Sequence, residues 1–430
     1  MVNVLQESAA LLDYTVGIRR HLHTYPEPTS KEFNTVKLII SELTKAGIPY
    51  ENIPDGGVLG IIEGKVPGKT ILLRADCDAL LMQESPNNLL GPKTCVSQVD
   101  GVAHMCGHDS HTAMLLATGR ILLKHRDQLE GRVILLFERG EEGGNNIYYV
   151  MKHIQQQNIR IDGCWALHID PFLNKGLISL APGPNCGGNL NFEIKLTGKG
   201  GHASRPDRAN NPIDCFVAIA TGIKELRMRY IDPTEPLTVS LGMVQGGTRR
   251  NVIPESLEFA GTVRFFNGET GRIYREELRK VITKTAEIYG CEVEFQVFSG
   301  PSLPVVTQEQ CYEIARDAVS AALGEDYVTV KKRSLGTESF ATLTAYYPGV
   351  AANVGVRNEE KGIVAGVHHP QFDMDEDALQ YGIAANVAYA IAFLRNKEEL
   401  EFTPFPGDAD EVLRYTNRPV PPRYDEVEVI

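Results

Sequence analysis

The sequence lacks any run of lysine and arginine, and no basic patch is interleaved with aromatic residues. Its 55 Asp and Glu outnumber its 43 Lys and Arg, a net charge of −12, so the electrostatic footprint of a nucleic-acid binder is missing. No uninterrupted apolar stretch is long enough to cross a bilayer. Residues 1–13 have neither the basic nor the apolar region of a secretory signal. The eight cysteines form no C-x-x-C pair and no disulfide-like framework, so most are expected to be reduced core residues of a cytoplasmic protein. There is no internal repeat. These absences argue against nucleic-acid and membrane partners. At 430 residues, 43% apolar and 23% charged, a soluble chain of two domains with a large core is expected.

What is present is concentrated at 101–112, Gly-Val-Ala-His-Met-Cys-Gly-His-Asp-Ser-His-Thr. Three histidines, a cysteine and an aspartate within nine positions are soft and borderline donors at the density of a metal centre. Gly107 lets the backbone turn so that Cys106 and His108 can reach one ion. The apolar run 113–123 is of helical length, and Asp109 or Ser110 is placed to cap it. For any one of these residues alone, a buried thiol or a surface histidine is the better reading; the cluster needs partners from elsewhere in the chain.

Those partners come from strand ends. Helices are expected over 11–22, 31–46 and 145–157, and strands over 57–62, 70–74, 132–137 and 163–168, with a turn at Pro67-Gly68. The strand 70–74 ends in Ala-Asp-Cys-Asp, 132–137 leads into Glu138-Arg-Gly-Glu-Glu-Gly-Gly144, and 163–168 ends at His168. Strands alternating with helices and delivering polar residues at their ends predict an α/β fold, with a mostly parallel sheet flanked by helices and a site at its C-terminal edge. After Pro182 the pattern changes to strand–helix–strand–strand–helix–strand, the order of a ferredoxin-like α+β unit. The glycine-rich loop 198–202 is not followed by Gly-Lys-Ser/Thr and is not a phosphate loop. Pro301 and Pro304 mark a return. The expected organisation is therefore a discontinuous domain of residues 1–184 and 303–430 with an inserted domain at 185–302. In the second part of the first domain, helices are expected over 308–322 and 375–394 and a strand over 350–354. The tail 402–430, with five prolines, reads as an extended arm or a partly disordered end.

Collected, the candidates are Cys106, His108, Glu141, Glu142, His168 and either His368 or His369. Two ions sharing a bridging ligand would use them all, and of two adjacent glutamates one can bind metal while the other takes a water's proton.

At this point the chain resembles the M20 metallopeptidase family, and within it the branch of aminoacylases, hippurate hydrolases and auxin-conjugate hydrolases. The matching stretches are 73–80, 101–112, Glu141-Glu142-Gly143, Leu167-His168, 198–203, 251–254, 261–264 and 368–373, in family order over nearly the whole chain. The resemblance implies metal ligation by Cys106, His108, Glu142, His168 and His368, with Glu141 as general base and acid. It implies that Asp78 orients a ligand from behind, and that Asp76, a histidine ligand in other branches, is not one. It implies an inserted lid that dimerises, with His202 reaching a partner's active site and Asn251 near the substrate. Arg264, in the matching stretch 261–264, is a second substrate-binding candidate or a strand-end ion pair. His21, His23, His104 and His111 are expected to be structural or supporting.

Departures from the family pattern are Glu138-Arg139-Gly140 where Gln-Pro-Ala is usual, Glu338-Ser339-Phe340 where Glu-Asp-Phe is usual, and Leu81 in place of a proline. None removes a ligand or the base. The expected activity is hydrolysis of N-acyl amino acids by a homodimer or homotetramer with two divalent ions per subunit, Mn²⁺, Zn²⁺, Ni²⁺ or Co²⁺. The alternatives are a dipeptidase or carboxypeptidase with the same centre, and an inactive metal-binding scaffold.

Overall fold

The structure is a computed structural model that describes residues 3–424. Helices α1 (Val4–Ala10), α2 (Leu12–Thr24) and α3 (Phe33–Ala46) precede a hairpin of β1 (Tyr50–Ile53) and β2 (Gly57–Glu63). β3 (Val66–Asp76), α4 (His108–Lys124), β4 (Glu130–Glu138), α5 (Ile147–Gln156) and β5 (Gly163–Asn174) then alternate, and β6 (Ile178–Ser179) and β7 (Gly183–Cys186) lead out of the first sheet. A second unit follows: β8 (Gly188–Thr197), β9 (Gly201–His202), α6 (Pro212–Tyr230), β10 (Leu237–Gly246), β11 (Val252–Ile253), β12 (Ser256–Phe265), α7 (Gly268–Tyr289) and β13 (Glu292–Phe298). The chain returns through β14 (Val305–Thr307), α8 (Glu309–Leu323), β15 (Val328–Thr329), α9 (Ala341–Tyr346), β16 (Gly349–Arg357), α10 (Leu379–Arg395) and α11 (Ala409–Thr416).

The large sheet runs β1-β2-β4-β3-β5-β16-β6-β15. β3, β4, β5 and β16 at its centre are mutually parallel. These strands read as near-continuous apolar runs because both faces are covered. Ile71, Leu73, Val133, Leu135 and Phe137 face α3, α4, α8 and α10, while Leu72, Ile134 and Leu136 face α5 and α9. The period-2 alternation thus sorts one strand's side chains into two cores rather than into core and solvent.

The second sheet, β10-β12-β8-β13, is wholly antiparallel and shares no strand with the first. Only one face is covered. Leu190, Phe192, Ile194 and Leu196 of β8 are fully buried and alternate with Asn191, Glu193, Lys195 and Thr197. α6 and α7 lie on that face through Ile219, Ile223 and Leu226, and through Tyr274, Leu278, Ile282 and Ala286, at helical spacing. β7 pairs with β14, so the chain leaves and re-enters the large unit along neighbouring strands.

Two local expectations are corrected, and two elements were missed. Pro67 and Gly68 do not make a turn; they lie inside β3, which absorbs them as a bulge between Val66 and Lys69. α1 and β1 were not legible, being short elements fixed by packing on α10 and by hairpin pairing with β2. The tail is not an extended arm over its described part: α11 packs against α5, and residues 425–430 lie outside the described residues. No helix among the described residues is long and apolar enough to cross a membrane.

Candidate metal centre

The loop that ends at α4 carries the densest ligand run. α4 starts at His108, and its N-cap is Gly107 in the left-handed region (φ 84°), not Asp109 or Ser110. A Cβ at Gly107 would lie 2.6 Å from Ile169, so this turn requires glycine. Asp109 cannot cap because it is committed elsewhere: its Oδ2 lies 2.9 Å from Arg19 Nε and 2.8 Å from His23 Nδ1. Ser110 Oγ bonds back to the Gly107 carbonyl.

Two triads of ligand atoms, each mutually within 4.8 Å, share Cys106: Cys106–His108–His168 and Cys106–Glu142–His368. Cys106 Sγ lies 3.5 Å from His168 Nε2, and His368 Nε2 lies 3.1 Å from Glu142 Oε1. The five side chains come from the loop before α4 and its first residue, the turn after β4, β5 and the 366–370 loop. They meet at the C-terminal edge of β3 and β4, where a parallel sheet concentrates chemistry.

The histidine tautomers follow from the partners behind the rings. His168 Nδ1–H donates to the Ile169 carbonyl at 2.7 Å, which leaves Nε2 as a lone pair toward Cys106. His108 Nδ1 lies 3.0 Å from Asp78 Oδ1, so its Nε2 also faces the centre. Asp78 Oδ2 accepts from Glu142 N–H and from Thr29 Oγ, both at 2.9 Å. One buried carboxylate thus holds two members of the cluster, the kind of outer support a metal site needs. His111 has no free nitrogen: Nδ1 lies 2.6 Å from Asp76 Oδ1 and Nε2 accepts from Ile169 N–H at 2.9 Å. Asp76 is divided between His111 and Arg74 Nη1, at 2.6 Å each.

The arrangement fits divalent metal. Among the described residues His108 Nε2 is buried with no hydrogen-bond partner, and buried Glu142 Oε1 meets His368 Nε2 in an ion-pair contact without hydrogen-bond geometry; both are costly states unless something is bound between them. A thiol, imidazoles and a carboxylate form a donor set for borderline ions. Burial pushes the Cys106 thiol far up. Burial also opposes charge on His108, but the Asp76 carboxylate and the hydrogen bond to Asp78 outweigh it and hold its pKa well above the usual range. Of the candidate pair at 368 and 369, His368 joins Glu142 and Cys106, whereas His369 accepts from Gln371 N–H at 3.1 Å. His368 sits at φ 59°, strain that this placement sustains.

Glu141 lies within the group His108–Glu141–Glu142. Ser339 N–H donates to its Oε1 at 3.0 Å. Burial, then the charge of Glu338, push its carboxyl well above the usual range. Two of the three motif departures meet behind it. Ser339 Oγ donates to Glu138 Oε1 at 2.6 Å, and buried Arg74 spans Asp76, Glu138 and Glu338 at 2.6, 2.6 and 2.9 Å. Arg139 pairs with Glu32 at 2.9 Å, and Glu32 also accepts from Gly140 N–H. Ser339 and Arg74 were missed by sequence reading as supports of this turn; the only signal for Ser339 was its departure from the family pattern.

His202 and Asn251 are not in the cluster. His202 pairs with Val252 across the exposed β9–β11 ribbon, and its Nδ1 accepts from Ser204 N–H at 3.1 Å. Arg264 lies one residue from the end of β12, opposite Thr238 and Asn189, and makes no ion pair among the described residues, so the strand-end position holds but the ion pair does not form. His23 is buried between Asp109 and Glu84, and His104 is buried without a partner, its pKa depressed by burial to about 4. His21 is exposed against Tyr25.

A model described as peptidase family M20/M25/M40 matches residues 72–392. Thermostable carboxypeptidase 1 of Saccharolobus solfataricus is 35% identical over 89% of this chain and 95% of its own length. The N-acetylcysteine deacetylase of Bacillus subtilis is 35% identical over 85% of this chain and 92% of its own. Among solved structures, the Bacillus subtilis YXEP protein, titled a dinuclear metal binding peptidase from the M20 family, superposes with a TM-score of 0.75 at 31% identity, covering 90% of this chain and 99% of that one.

Proposed function

The chain belongs to peptidase family M20/M25/M40 and is a metal-dependent hydrolase, and from that premise we propose that it cleaves the amide bond of N-acyl amino acids. The observation that carries the reading is the pair of ligand triads sharing Cys106, with Glu141 alongside and outside both. Cys106, His108 and His168 would hold one divalent ion, and Cys106, Glu142 and His368 a second; Mn²⁺, Zn²⁺, Co²⁺ and Ni²⁺ all suit this donor set. The chemistry such ions supply is polarisation of the substrate carbonyl and acidification of a water.

The residues of the chain do the rest. Asp78 fixes the His108 ring and the Glu142 backbone at once, so both donors are set before substrate arrives. Ser339 N–H engages only Oε1 of Glu141 among the described residues, leaving the other oxygen to take the attacking water's proton and pass it to the departing nitrogen. The buried surroundings suit proton transfer, since they keep the carboxyl from being a permanently weak base.

The unit of residues 185–302 is, in this reading, a lid that also dimerises. His202 and Asn251 stand on an exposed ribbon and bond to none of the five ligands, a placement that suits a contribution to a second copy's site. The eight free cysteines suit the cytoplasm.

A screen of N-acetyl and N-benzoyl amino acids and dipeptides, on chelated protein reloaded with each metal, tests the reading. Hydrolysis of acyl amino acids that is lost on chelation and regained on reloading is expected. Turnover of dipeptides alone, or none with the metals bound, overturns it. Mixing Glu141→Gln and His202→Ala subunits should restore part of the activity each lacks; no restoration removes the cross-subunit role.

A further inference from the structure

A cavity of about 510 Å³ opens beside Glu141 and contains none of the five ligand side chains. Glu141, Asn145 and Ser339 line it from the metal-centre side, Asn191 from the second sheet, and Thr416 and Arg418 from the C-terminal segment. That segment lies beyond residue 392, where the family match ends.

Arg418 is the only cationic side chain among the lining residues. It is half-buried, its Nη1 donates to Asn145 Oδ1 at 3.3 Å, and it pairs with no carboxylate among the described residues. Of the two lining carboxylates, Glu338 is taken by Arg74 and Glu141 accepts from Ser339 N–H. The segment that carries Arg418 is anchored on both sides of it. Asn417 Nδ2 donates to the Phe298 carbonyl at 2.9 Å, Gly300 N–H donates to the Thr416 carbonyl at 2.9 Å, and Tyr149 hydroxyl donates to the Pro421 carbonyl. A partly desolvated guanidinium on an anchored segment, within the field of Glu141 but paired with no carboxylate among the described residues and lined by amide and hydroxyl groups, suits a carboxylate ligand.

We propose that Arg418 binds a second carboxylate of the substrate, on the part remote from the scissile amide, so that the enzyme favours dicarboxylic acyl amino acids. The inference rests on the amidohydrolase reading. The cavity has room for it: sites of this size enclose ligands larger than an acetylated small amino acid. Two sources share the chemistry, a carboxylate ending the acyl chain and one on the amino-acid side chain.

The test compares kcat/KM for N-succinyl-alanine, N-acetyl-glutamate and N-acetyl-alanine in metal-loaded wild type, Arg418→Ala and Arg418→Lys. The preference for one dicarboxylic substrate over N-acetyl-alanine should fall about 10–100-fold in Arg418→Ala, as for loss of a charge-assisted hydrogen-bonded pair, and Arg418→Lys should restore part of it. Which substrate loses more identifies the source. Equal loss on all three, or none, overturns the proposal. If no substrate turns over, the amidohydrolase reading fails separately, and calorimetric binding of N-succinyl-alanine and N-acetyl-glutamate to Glu141→Gln with and without Arg418→Ala still decides: binding of both that ignores Arg418 overturns the subsite.

Discussion

Replacing Glu138 by glutamine should stabilise the protein, and more so at higher pH. Arg74 is one guanidinium among three buried or half-buried carboxylates, Asp76, Glu138 and Glu338. One cation cannot neutralise three anions, and Glu138 yields: burial pushes its carboxyl from the ordinary 4.5 up to about 7, the pull of Arg74 included. A folded-state pKa above the unfolded one means that the fold retains a proton the unfolded chain releases. The resulting stabilisation is complete below about pH 4.5 and is lost as pH rises through 7. A pKa rise of that size corresponds to about 3 kcal/mol. Glutamine keeps the shape, accepts from Arg74 Nε through its oxygen and cannot ionise. Glu138→Gln should therefore match wild type near pH 5 and exceed it by up to about 3 kcal/mol at pH 8. Chemical unfolding of both proteins at the two pH values measures this. Bound dications add positive charge nearby and shrink the gain, so the chelated protein gives the larger difference. A variant equally destabilised at both pH values would mean that Glu138 is fully ionised in the fold, and the charge count around Arg74 would be wrong.

Asp78→Asn should weaken metal affinity about 10–100-fold, because it loosens His108 and the Glu142 backbone together; unchanged affinity in equilibrium dialysis would remove that role. Metal uptake at neutral pH should release about two protons, one from the Cys106 thiol and one from His108, both held protonated in the ion-free cluster. Calorimetry in buffers of different ionisation heat counts them, and a count of zero refutes the assignment; loading should weaken correspondingly on acidification. Glu141→Gln should retain metal and lose about 10²–10⁴-fold in single-turnover rate, whereas Glu142→Gln should lose metal. The opposite pattern would exchange the two roles.

Legibility tracked range. Residues 101–112 announced themselves because the donors are adjacent, and Glu141 and Glu142 because they follow an apolar strand. The sequence could not choose between His368 and His369; the choice is made by a left-handed residue in an irregular loop. It misplaced the cap of α4 because Asp109 looks free until Arg19 and His23, about ninety positions away, are folded against it. The contact between Glu138 and Ser339, 201 positions apart, belongs to the same class: each reads as an isolated oddity until the fold makes them neighbours. The tail failed for the opposite reason. Its prolines argue locally against structure, yet α11 forms because Asp408 caps it and Tyr148 and Lys152 of α5 hold Asp410.

That last helix turns the C-terminal segment into a cross-brace. Asp408 and Asp410 are tied to the large unit through Tyr346, Tyr148 and Lys152, while Thr416 and Asn417 grip the strand exit at Phe298 and Gly300. The small unit is thus tethered by this segment as well as by its connecting strands. Any swing of that unit over the metal centre must either carry residues 416–417 along or tear them from the backbone they hold. The brace stiffens the joint, and shortening or loosening it would change how freely the small unit can move without touching any of the five clustered donors.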